Sequence, residues 1–172
     1  MRWGRARRQR GQAIVEFAIC STVLLLFFTG VMDLGFLFAS HVATTNSVRA
    51  AARFAAANPT AWSNDPNPPT TSIEGQLKTI AVPAVIVNDD THVTISYTVP
   101  GAGSGTACGQ YSASNNAFVA ASGTSYTQAT CVVPGHLVTV KASYTYNFMT
   151  PFLSQPFGSI TVFSEAAELE ED

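Results

Sequence analysis

Apolar positions fall into one unbroken run near the N-terminus and a set of alternating stretches after it. No residue from Phe17 to Met32 is charged, and apolar character continues past Asp33 through Leu34, Phe36, Leu37 and Phe38 to Ala39. Counted from Ala13 the run holds 27 residues. A helix of that length measures about 40 Å at 1.5 Å per residue, enough to cross a bilayer core of roughly 30 Å. Residues 40–57 contain no Gly or Pro and are rich in Ala, the best helix former. The pattern therefore predicts one helix from about Ile14 to Ala57, stopped at Asn58-Pro59. Arg49 and Arg53 lie four apart and share a face of it, available for helix packing or contact with a partner, with Val42, Ala52 and Phe54 on neighbouring rows able to pack on a domain.

The remainder reads as a small α+β domain. Asn64-Asp65-Pro66-Asn67-Pro68-Pro69 resists helix and strand alike, so 58–71 is expected to be a linker. Ile73, Leu77, Ile80 and Ala81 recur at one-face helical spacing as far as Pro83, with Thr71 and Glu74 at capping-box spacing. Alternation at Val93, Ile95, Tyr97 and Val99, and again at Val138, Val140, Ala142, Tyr144, Tyr146 and Phe148, predicts two strands with one buried face. A third is expected at Ser159–Phe163, after a loop containing Pro151 and Pro156. About three antiparallel strands, a helix near 72–82 and the distal part of the long helix suffice for a small core in the 72–172 domain. Pro100 to His136, dominated by small polar residues, reads as a long loop that is functional or else conceals short strands.

Charge fixes the orientation of the apolar run. Arg2, Arg5, Arg7, Arg8 and Arg10 all precede Gly11, whereas the chain after it carries the other four bases against 11 acids, a net of −7. A basic leader of residues 1–11 should stay in the cytoplasm and leave the rest across the membrane. The acidic balance beyond it excludes a nucleic-acid surface. The run is too long for a cleavable secretory signal, and no Ala-x-Ala exit follows it. Glu16, four residues inside an apolar helix, is costly to insert and calls for a partner. The tail from Glu165 to Asp172 is most simply a solvated acidic end.

Catalytic chemistry finds little support. His41, His92 and His136 are isolated, and no pair stands at metal-ligand spacing. Gly101, Gly103 and Gly105 lack the strand-to-helix context of a phosphate loop. Cys108 and Cys131 lie in one exported stretch that Cys20 cannot reach. They are expected to form a disulfide that adds about 3 kcal/mol on the chain-entropy estimate, which removes either as a nucleophile. No enzyme activity, metal, cofactor or small-molecule substrate is expected.

Taken in order, Arg10-Gly11-Gln12-Ala13-Ile14-Val15-Glu16-Phe17-Ala18, the Leu and Phe run, Asp33-Leu34-Gly35 and Asn46-Ser47-Val48-Arg49-Ala50-Ala51-Ala52-Arg53-Phe54-Ala55 resemble the N-terminal half of TadE-like proteins. These are minor pilins or pseudopilins of the tight-adherence (Flp) branch of the bacterial type IV pilus machinery. The resemblance implies cleavage by a prepilin peptidase between Gly11 and Gln12, and assembly through Glu16, Phe17 and Asp33. It further implies other pilin subunits and an inner-membrane assembly platform as partners, with lipid around the span and a final place in a surface pilus. Phe36 stands where members often carry Arg, so Asp33 has no local cation from that position. Two readings outside this class are an uncut, membrane-anchored scaffold or adhesion module that uses the 100–136 stretch, and an anchored envelope enzyme, for which catalytic residues are lacking.

Overall fold

The computed structural model describes residues 4–81, 86, 88–100 and 106–171. They divide into two compact units, Met1–Leu37 with Asn147–Ser159 and Phe38–Tyr146 with Ile160–Asp172. Helix α1 spans Gly4–Ala57. It starts ahead of the expected Ile14, inside the basic leader, because Arg, Ala and Gln are good helix formers and no proline interrupts them.

In the first unit α1 presents apolar side chains on every side: Ile14, Val15, Phe17, Ile19, Val23 to Phe28, Val31, Met32, Leu34 and Phe36 are all exposed. A helix apolar all round belongs in a membrane or a large core, and none of its most apolar stretch is buried in the protein. The same unit holds the short helix α4, Pro151–Phe157, where a loop was expected. Pro151 occupies its first turn, where a missing N–H costs nothing.

The second unit is the α+β domain. Its strands are β1 (Val93–Val99), β2 (Thr106–Ser112), β3 (Ala117–Ala120), β4 (Leu137–Asn147) and β5 (Ser159–Leu169), with helices α2 (Ile73–Ile80) and α3 (Gln128–Cys131). They form one five-stranded sheet of order β3-β2-β1-β4-β5, with β1 antiparallel to both β2 and β4, and β2 antiparallel to β3. The sheet thus has five strands where about three were expected. The two extra ones lie within 100–136, where Gly109 and the extra residue Cys108, which β2 inserts opposite Tyr97/Thr98 of β1, obscure the alternation. Gly109 is required there, because a Cβ would come within 2.1 Å of the Phe118 ring that covers it from β3.

Along α1 the buried positions of this unit are Ser40, Thr44, Ser47, Val48, Ala51, Ala52, Ala55 and Ala56. The stripe is small-sided, so the sheet approaches the helix closely. Its apolar members share one core with Ile73 and Leu77 of α2, Ile95 and Tyr97 of β1, and Val138, Val140, Ala142 and Tyr144 of β4. Of the three positions expected to pack, Ala52 is buried and Phe54 packs at the core's margin, while Val42 remains 41% exposed.

The 58–71 segment is held to the sheet. Trp62 donates its Nε1–H to Tyr97 Oη at 2.7 Å and stacks on Tyr111 with ring centres 5.1 Å apart. Helix α2 is capped one residue later than its capping-box spacing suggested, by Ser72, whose Oγ accepts from Gly75 N at 3.1 Å.

Candidate functional site

The expected assembly residues lie on the exposed part of α1. Gly11 is helical, and a Cβ there would meet nothing within 4 Å. Neither space nor backbone conformation requires a glycine that costs a helix interior about 1 kcal/mol against Ala. Gln12 donates to Glu16 Oε1 at 3.2 Å across one turn. Both side chains are exposed, as is Phe17 at 74%. Glu16 therefore presents its carboxylate outward from an apolar surface, open to whatever surrounds the helix.

Asp33 has the opposite environment. It is 2% exposed, and its carboxylate accepts from Met149 N at 3.3 Å, Thr150 N at 3.0 Å and Thr150 Oγ at 2.5 Å. Residues on the threshold of α4 thus supply the donors that Phe36 cannot. Charge-assisted bonds of this kind are shorter and stronger than neutral ones. No sequence signal connects positions so far apart. A charged residue in an apolar run nevertheless announces that some partner exists.

Arg49 and Arg53 are both exposed. Arg53 approaches Glu168 of β5 at 3.8 Å with its side chain 78% exposed, so the pair contributes little to stability and leaves the guanidinium accessible. Cys108 and Cys131 are buried and disulfide-bonded, with Cα atoms 5.7 Å apart, fixing α3 to β2. Cys20 is free and exposed.

Two carboxylates, one expected only at a capping-box position and one in a solvated tail, are buried. Glu74 is 1% exposed; its Oε2 accepts from Ser63 N at 2.9 Å, whereas Oε1 has no partner among the described residues. Burial pushes its pKa up to about 7 against the lowering effect of the backbone bonds. Glu170 lies in the segment expected to be a solvated tail, yet it is 4% exposed and both its oxygens are unpartnered among the described residues. Burial raises it to about 7 as well. The end of the chain is drawn in because its backbone completes other ladders: Glu170 N donates to His136 O at 2.8 Å, and Glu171 N to Ala56 O at the end of α1 at 3.0 Å. An N–H on that terminal carbonyl meets a helix-end requirement that the acidic composition concealed.

Among the described residues no group of three or more His, Cys, Asp or Glu side chains is placed to hold a metal ion. The Gly101, Gly103 and Gly105 stretch lies outside them.

The exposed apolar run, the carboxylate at its start and the small-residue stripe at its far end lie on a single helix. Residues 11–53 match the family model of TadE-like proteins. The expected resemblance is thus found on the helix that carries it. The TadE-like segment runs from the glycine ahead of Gln12 through Arg53 and includes Glu16, Asp33 and most of the small-residue stripe, while the sheet lies beyond its limits. No curated protein and no solved structure matches the chain.

Proposed function

We propose that the chain is a non-enzymatic minor pilin or pseudopilin of a Tad/Flp-type pilus. The observation that carries this reading is the TadE-like segment itself: an apolar, largely exposed helix that bears an outward carboxylate near its start and ends as the core helix of a small α+β domain. In this account the helix inserts in the bacterial inner membrane with its arginine leader in the cytoplasm and the sheet domain exported. A prepilin peptidase cuts after Gly11, leaving Gln12 first and Glu16 fifth. The platform and other pilin subunits then draw the helix from lipid into a bundle.

The energetics give Glu16 its role. Near the end of an apolar helix a carboxylate costs on the order of 1–3 kcal/mol at insertion. A positive or hydrogen-bonding group from a neighbouring subunit recovers that cost only when the helix leaves lipid, so the residue favours the assembled state over the free one. Phe17, 74% exposed beside it, is open to pack against a neighbouring subunit. In this reading Arg49 and Arg53, both exposed and the latter only weakly engaged by Glu168, contact a partner, and Asp33 fixes α4 beside the helix.

Mass spectrometry of the chain from a host with its prepilin peptidase tests the processing step. Wild-type protein is expected to lack residues 1–11, and Gly11→Glu protein to retain them. An intact leader on wild-type protein would replace this reading with the uncut membrane-anchored scaffold.

A further inference from the structure

The hydrogen bonds to Asp33 locate α4 along the membrane axis. Glu16 and Asp33 are separated by 17 helical residues, or about 25 Å at 1.5 Å per residue, against a hydrocarbon core of roughly 30 Å. With Glu16 held at the cytoplasmic boundary, Asp33 lies near the boundary on the far side. Its neighbours Met32, Leu34 and Phe36 are apolar and 48% to 62% exposed, so the helix surface flanking it is still lipid-facing. Met149 and Thr150, bonded to Asp33 through their amides, are at that same depth.

The segment that follows has a composition to match. From Ala142 to Ser164 no residue is charged and none is histidine. Phe148 is buried and meets the Phe157 ring at 6.2 Å, while Met149 at 76% and Phe157 at 62% exposed project from the protein. Ser154 and Gln155 supply the polar positions that an element at a headgroup boundary needs. A methionine exposed just ahead of a seven-residue helix and a phenylalanine exposed at its end are unfavourable in water. Beside a lipid-facing span they are in their own solvent.

We propose that residues 147–159 are a second membrane-contacting element, seated at the acyl-to-headgroup boundary of the far leaflet with Met149 and Phe157 in lipid. The bonds to Asp33 then serve the membrane as well as the protein. They satisfy a carboxylate that would otherwise meet hydrocarbon, and they hold the segment at a fixed height on the span. The inference rests on the reading of α1 as a membrane span.

Nitroxide labelling of the full chain in proteoliposomes tests it. In a Cys20→Ala background, where Cys108 and Cys131 are tied up in their disulfide, single cysteines replace Phe157, Met149, Phe27 in the span and Asn115 in the exposed β2–β3 turn. Accessibility of each label to oxygen, which concentrates in lipid, is compared with that to a water-soluble nickel chelate. Labels at 157 and 149 should show an oxygen-to-nickel ratio severalfold above that at 115, at a shallower depth than the label at 27. Ratios at 157 and 149 equal to that at 115, with lipid values at 27, would overturn the inference and leave the span intact. Low accessibility to both reagents at 157 and 149 would also overturn it, in favour of burial against another protein copy. Aqueous values at 27 would remove the span itself, and the inference with it.

Discussion

Single side chains set the energetic character of this molecule through three carboxylates in three environments. Glu16 is exposed on apolar helix, Asp33 is buried and accepts from two amides and a hydroxyl, and Glu170 is buried with no partner among the described residues. The last environment has a measurable consequence. Glu74 and Glu170 have folded-state pKa values raised from 4.5 to about 7, so between those limits the folded state holds more protons than the unfolded one. Stability accordingly falls as pH rises through that window. Thermal melts of the detergent-solubilised chain should give a higher Tm at pH 5.5 than at pH 8, and Glu170→Gln should remove part of the difference, on the order of 1–2 kcal/mol. A Tm that does not change between those pH values would show that the two carboxylates are solvated.

Secondary elements show how much of this was legible in the residues and where legibility ended. The long helix could be read from its uncharged apolar run and the Ala-rich stretch that follows, and α2, β1 and β4 because their apolar positions keep a period against a buried face, as at Val93, Ile95 and Tyr97. Strands β2 and β3 could not, since β2 places Gly109 where the period requires a side chain and β3 leaves Phe118 to cover the gap. The final strand was read too short because it is an edge strand whose outer residues, Glu165 and Glu168, are as polar as a free tail. Helix α4 was hidden by Pro151 and Pro156, residues that signal a loop unless the first stands in the first turn. At the candidate site the cysteine pair was legible locally, whereas the donors to Asp33 were not, because only the folded chain brings them together. The small stripe of α1 makes a prediction at this scale. Ala51→Leu places a large side chain where helix and sheet meet with no room, and should destabilise the domain by about 1–3 kcal/mol. Urea unfolding followed by the fluorescence of Trp62 measures it, and an unchanged midpoint would show that the helix and sheet are not closely packed.

At the scale of the whole molecule, one continuous helix serves two solvents. Its first part is apolar on all sides and its second part supplies the core of a disulfide-linked domain. That construction suits a subunit whose helix moves from lipid into a bundle while its domain stays folded. The central claim is that Glu16 promotes assembly at a cost in the membrane, and the most direct measurement is filament number and recovery of other pilins with Glu16→Ala, at matched protein levels in the native host. Membrane insertion and leader cleavage should be retained, while surface filaments are reduced or lost and pilin recovery falls. Glu16→Gln tells an ion pair from a neutral contact: loss of assembly in both variants indicates an ion pair, and retention in the Gln variant a hydrogen bond. Unchanged filaments and pilin recovery in Glu16→Ala would contradict the account.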